Sequence, residues 1–274
     1  MNIRLLTVSF VLLISTSCNN HTHIGKQQQS TAALMKEINC SYTIDRTNYR
    51  SFIALDTSFD KKRPVVMIVP EWWGLNNYVK NRAVQLAKLG YVAMAVDLYG
   101  EGKIATNVEE AMQYSTPFYQ NSVFAKERFD AAMAEIKKIP EADTNQIAAI
   151  GYCFGGSMVL NFAKMGEDLK GVVSFHGGLK GVEANKELLK AKILICHGQE
   201  DQFVPAADVA AFKREMDSIH AFYIFKSYEG ATHAFSNPDA TEWGKKFKLP
   251  IAYNAAADTS SWNEMKKFFT TIFK

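Results

Sequence analysis

An α/β fold, with a mostly parallel central sheet covered by helices on both faces, is what this 274-residue sequence predicts. Three observations lead there. Residues 65–69, 91–96 and 147–150 are continuous apolar runs, the pattern of strands buried on both sides, and 191–196 reads as a further buried strand. Between the first two, residues 76–88 repeat their apolar positions with helical spacing and stop at Gly90, a usual helix end. Directly after Ile150 comes Gly151-Tyr152-Cys153-Phe154-Gly155-Gly156, which reads as a tight turn from strand to helix. The composition suits one well-filled core, with 47% hydrophobic residues. The charge balance of 31 basic against 28 acidic residues gives +3, too slight to point to a nucleic-acid partner. Clusters such as Lys61-Lys62-Arg63 and Lys245-Lys246 are scattered, and no basic stripe is interleaved with aromatics.

Each element can be placed in order. Residues 38–44 and 49–55 alternate and predict an outer antiparallel pair. Strands follow at 65–69 and 91–96, with the helix 76–88 between them. Residues 108–138 predict one or two helices broken near Pro117, covering the sheet and bordering the site. The strand 147–150 feeds the glycine turn and a helix over 156–164. Strands at 172–175, 191–196 and 222–225 come next, with a helix at 206–217. Residues 241–257 show no pattern and predict a long surface loop beside His233. A last helix over 260–273 has an apolar face of Trp262, Met265, Phe268, Phe269 and Ile272. No internal repeat is present, and residues 37–274 read as one domain.

The glycine turn carries the chemistry. Gly-x-Cys-x-Gly is the nucleophile elbow of an α/β-hydrolase, with cysteine where serine is usual. Gly151 and Gly155, two residues either side of Cys153, let strand and helix approach closely. The first amides of the following helix favour negative charge on the exposed sulfur. In this fold the nucleophile is followed in the chain by an acid and then a histidine, each after a strand. Asp201 follows the run 191–196, and His233 follows the strand at 222–225. Cys153, Asp201 and His233 are therefore the candidate triad: His233 accepts the thiol proton, and Asp201 fixes its tautomer and stabilises its charged form. His176 and His197 compete as the base. His197 shares one short loop with Asp201, and His176 precedes the acid, so both read as loop-packing or pocket-lining residues.

The chain resembles the dienelactone hydrolase family from about residue 64 to its end. The resemblance rests on Pro70-Glu71-Trp72-Trp73-Gly74-Leu75-Asn76, Asp97-Leu98-Tyr99, the cysteine elbow, Asp201 within Asp-x-x-Val-Pro and His233 within His-x-Phe. It implies hydrolysis of a small ester or lactone through a cysteine nucleophile, with no metal or organic cofactor. It also implies that Glu71 contacts the resting cysteine and takes part in its activation. The oxyanion hole is implied at the backbone amides of Phe154 and Trp72, where donors stabilise developing charge and are each worth about 3 kcal/mol of barrier. Two uses fit the side chains of Phe154, Trp72 and Trp73: walls of the pocket, or ordinary core aromatics. One departure concerns specificity. Family members that act on dienelactone bear arginines after the Asp-Leu-Tyr segment and after the histidine. Here those stretches read Gly100-Glu101-Gly102-Lys103 and Ala234-Phe235-Ser236-Asn237-Pro238. Lys103 supplies a charge without the bidentate fork, and it stands with Trp73 and Phe235 as an expected substrate contact.

The N-terminus bears on location. Arg4, the apolar run 5–14 and the small residues Ser15-Thr16-Ser17 before Cys18 form an export signal over residues 1–17, too short to span a membrane. Small residues before Cys18 resemble a bacterial lipoprotein cleavage box, which makes Cys18 the expected lipid-bearing residue. Residues 18–36 are then a polar tether on a cell-envelope protein, the alternative being a periplasmic or secreted form without lipid. Cys40 and Cys196 are expected as free, buried thiols, and no Cys and His spacing matches a metal site. Three readings stand: a hydrolase of a small ester, lactone or thioester; a peptidase or acyltransferase on the same triad; and a silent binding lipoprotein on a hydrolase scaffold. An intact triad argues against the third.

Overall fold

The computed structural model describes residues 34–273, together with Met1. The expected export signal, the expected lipid-bearing Cys18 and most of the expected tether lie outside the described residues. The chain runs through β1 (Met35–Ile44), β2 (Thr47–Asp56), β3 (Arg63–Val69), α1 (Asn77–Lys88), β4 (Val92–Ala95), α2 (Val108–Gln120) and α3 (Ser122–Ile136). It continues through β5 (Ala142–Tyr152), α4 (Phe154–Lys164), β6 (Gly171–Phe175), β7 (Lys192–Gly198), α5 (Ala206–Ser218), β8 (Tyr223–Tyr228), α6 (Ala240–Phe247) and α7 (Ala255–Ile272). Met35 and Lys36, expected in the tether, are the first two residues of β1. Asp45 and Arg46, both at positive φ, close the β1–β2 hairpin.

Eight strands form one sheet in the order β1-β2-β4-β3-β5-β6-β7-β8. The β1–β2 and β2–β4 pairs are antiparallel; every other pair is parallel. From β3 the chain first crosses to β4 on one side, then to β5 on the other. The carboxyl ends of β3 and β5 therefore meet where the winding reverses, the usual place for a site in such a sheet. Glu71 follows β3, and Cys153 follows β5.

Burial on both faces explains the unbroken apolar runs. In β3, Val65, Met67 and Val69 face a core shared with α2, α3, α4 and α5, and Val66 and Ile68 face one shared with α1 and α7. Two expectations are corrected. Pro117 lies inside α2, costing it one backbone donor, and the break falls at Asn121. There an extended residue caps α3, its side chain accepting from the Phe124 amide at 3.0 Å. Residues 241–257 are no loop: they hold most of α6, whose last turn ends on Lys248 in the left-handed conformation, and the start of α7. Cys40 and Cys196 are both free, Cys196 buried and Cys40 half-buried. No helix among the described residues is long and apolar enough to cross a membrane.

Candidate active site

Cys153 occupies the one residue between β5 and α4, at φ 52° and ψ −115°. A cysteine there carries backbone strain of about 1–3 kcal/mol, which its surroundings must hold in place. Its amide donates to the Phe175 carbonyl at 2.9 Å and to His176 Nδ1 at 3.1 Å. Its carbonyl accepts from Ser157 at 3.2 Å, closing the first turn of α4. That turn leaves the Phe154 amide at the helix start without an intrahelical acceptor. The glycines are needed because backbone meets backbone. A Cβ on Gly151 would run into the Gly155 carbonyl, and one on Gly155 into the Val69 carbonyl.

The loop after β3 supplies a second free amide. The Glu71 carbonyl accepts from Gly74 at 3.0 Å, which fixes the peptide plane that carries the Trp72 N–H and turns that N–H the opposite way. Tyr99 donates to the Trp72 carbonyl at 3.0 Å from the other side. The Trp72 amide itself donates to no group among the described residues. Asp97 shapes the neighbouring loop by accepting from the amides of Arg50, Gly100 and Gly102, each at 2.9 Å.

His233 and Asp201 are joined. His233 Nδ1 lies 2.8 Å from Asp201 Oδ2, and Oδ1 accepts from the Phe203 amide at 2.9 Å. With Nδ1 committed to the carboxylate, Nε2 is the nitrogen left for Cys153. The rings of Phe203 and His176 meet the His233 ring edge-on at 5.0 and 5.4 Å. Burial alone pushes the pKa of His233 down, but the Cys153 sulfur and the Asp201 carboxylate outweigh it and hold it well above the ordinary histidine value.

Glu71 is 2% exposed, and its Oε2 accepts from Asn237 Nδ2 at 2.6 Å. Asn237 Oδ1 in turn accepts from the Asp239 amide at 3.0 Å, which fixes the side-chain amide as the donor to Glu71. Burial raises the carboxyl from 4.5 to about 7; the Asn237 hydrogen bond and the nearby His233 and Arg82 charges pull it down, and Asp239 adds to the rise. Between those values the folded chain holds a proton that the unfolded chain has released, so stability falls as pH rises through the window. The loss is about 3 kcal/mol. Glu71→Gln should gain stability over the native chain by about this amount between pH 5 and pH 8, read from urea unfolding. An equal difference at both pH values would rule out a buried titrating carboxyl.

These residues open on a cavity of about 350 Å³, lined by Glu71, Trp72, Trp73, Cys153, His233 and Ile251 among others. That is the lower end of small-molecule sites. Asp201 sits behind His233, away from the opening. Two expected substrate contacts are corrected. Phe235 is fully buried and packs against His176 and Tyr228, because Ala234 at φ 58° turns the chain into the core. Lys103 does not line the cavity; its Nζ lies 5.6 Å from the Tyr114 ring. Trp73 is in the wall, stacked with Phe247 and edge-on to Trp243. His197 lines a different depression behind Asp201, with Gln199 and Lys213.

A buried chain beneath the nucleophile escapes sequence reasoning. His176 Nε2 lies 2.8 Å from Ser236 Oγ, which lies 2.8 Å from the Tyr78 hydroxyl. Arg82 donates to the Ser236 carbonyl at 2.8 Å and pairs with Asp258 at 2.5 Å. Burial holds the His176 pKa well below the ordinary value. It is therefore neutral, accepting from Cys153 on one nitrogen and donating to Ser236 with the other. This ties α1, α7 and the His233 loop to the elbow. Asn237 was equally hidden, since its residue type signals nothing until its place against Glu71 is known.

Comparison with known proteins points to one family. The model of the dienelactone hydrolase family matches residues 50–273. A protein of Aquifex aeolicus, provisionally named a carboxymethylenebutenolidase, is 26% identical over 216 residues, covering 77% of this chain and 89% of that one. A solved dienelactone hydrolase-like promiscuous phosphotriesterase from metagenomic libraries superposes with a TM-score of 0.83 at 29% identity, covering 89% of this chain and all of that one. The solved protein m3DLH gives 0.82 at 31% identity, covering 88% of this chain and all of that one. The chain belongs to the dienelactone hydrolase family, hydrolases of the α/β-hydrolase superfamily that act on esters or lactones.

Proposed function

We propose that the chain hydrolyses its ester or lactone through Cys153, His233 and Asp201, by way of an acyl-enzyme. The observation that carries this reading is the strained Cys153 at a helix start, sharing one cavity with a histidine already bonded to a buried carboxylate. The thiol proton passes to His233 Nε2, and the sulfur attacks the carbonyl carbon. Negative charge then develops on the carbonyl oxygen, within reach of the Phe154 and Trp72 amides. Collapse breaks the bond to the leaving oxygen, which takes the proton from His233. Water, deprotonated by His233, then attacks the thioester and frees the sulfur. Glu71 faces the same cavity and is the group that steers the resting thiol. Hydrolysis of a short-chain aryl ester tests the reading, and added amines separate transfer to water from transfer to another acceptor. Loss of turnover on replacing His233 supports the base; unchanged turnover sinks it.

We further propose that residues 1–17 direct export and that Cys18 carries lipid, which places the hydrolase in a cell envelope. Arg4, the apolar run and the small residues before Cys18 support this. Labelled palmitate should enter the native chain and not Cys18→Ala. Equal labelling of both contradicts the anchor.

A further inference from the structure

The wall of the cavity offers no free cation to hold a charged substrate group. Met112 on α2, Phe203 after β7 and Leu249 and Ile251 after α6 form it, together with Trp72 and Trp73. Of its three hydroxyl side chains, Ser115 and Thr116 are spent as donors, and the exposed Tyr119 phenol carries no positive charge. Ser115 Oγ donates to the Ala111 carbonyl at 2.7 Å and Thr116 Oγ1 to the Met112 carbonyl at 2.6 Å. Of the ionisable residues in the wall, His233 alone can be cationic, and it is bonded to Asp201. The one carboxyl in the wall, Glu71, offers no positive charge and repels a second carboxylate once ionised. Lys103, Lys180, Lys246 and Lys248 do not line it, and Lys180 is paired with Asp208 at 2.9 Å.

We propose that this site takes uncharged esters or lactones whose larger group is apolar, and rejects those bearing a carboxylate near the scissile bond. The proposal rests on Cys153 being the nucleophile. A carboxylate entering this cavity would lose its water and meet no cation free to pair with it, which costs more than an apolar chain gains.

The test compares two esters of equal length with one leaving group, 4-nitrophenyl hexanoate and 4-nitrophenyl hydrogen adipate, on the full chain. The expected kcat/KM ratio favours hexanoate by ~100-fold, the scale of one unpaired charge. From acetate to hexanoate, kcat/KM should rise by roughly 3- to 4-fold per methylene. Met112→Arg places a cation at the exposed end of the wall and should shift the ratio toward adipate by ~5-fold, the scale of an exposed charge pair. Thr116→Arg, also exposed, is the second variant should the first not fold. Equal turnover of both esters, lost in Cys153→Ala, overturns the selectivity and leaves the hydrolase reading standing. No turnover of either, with Cys153 unacylated by mass spectrometry, overturns the hydrolase reading and this proposal with it.

Discussion

Cys153→Ala is expected to lower kcat/KM for a short-chain aryl ester by at least about 10³-fold, because the proposed covalent intermediate forms on its sulfur. Folding should be nearly untouched. The side chain is only half-buried, and the strain at φ 52° is held by backbone hydrogen bonds that alanine keeps. Cys153→Ser should fall almost as far, since its hydroxyl gives up a proton much less readily than a thiol does at the same histidine. The measurement is steady-state turnover beside a urea unfolding curve. Full activity in the alanine form would remove Cys153 from the mechanism.

Gly155→Ala should have the largest effect on stability, about 4 kcal/mol or more, or leave no folded protein at all. Its new methyl would strike the carbonyl oxygens of Val69 and Pro70, and neither β3 nor α4 can retreat without opening the sheet or moving Cys153. Gly151→Ala should behave alike, through the Gly155 carbonyl. Gly178→Ala serves as the control. Its Cβ meets only the Ser157 hydroxyl at 3.1 Å, so a loss of about 1 kcal/mol or less is expected. Similar unfolding midpoints for the Gly155 and Gly178 variants would contradict the close contact of strand and helix.

The central strands were legible because burial on both faces leaves an unbroken apolar run, as at Val65 through Val69. The elbow was legible because its two glycines answer a local steric demand. Strand β5 begins at Ala142, five residues before its apolar run, because Ala142 and Asp143 pair with Arg63 and Pro64 at the sheet margin. Helix α6 was hidden by its charged turns and by a lysine at its stop where glycine is usual. Phe235, beside the histidine in sequence, looked like a pocket wall. The reversal at Ala234 sends it into the core, and no local pattern marks that reversal. The link from His176 to Ser236 spans 60 residues, and that from Asn237 to Glu71 spans 166; only the folded sheet brings such pairs together. Sequence thus gives the groups that do chemistry more readily than those that hold them.

The most direct test of the account is acid quenching of the native chain during turnover of 4-nitrophenyl hexanoate, followed by peptide mass spectrometry. The hexanoyl group should appear on the peptide containing Cys153 and should be absent from Cys153→Ala. Product release at the native rate with Cys153 unmodified, or with the acyl group on another residue, would contradict it.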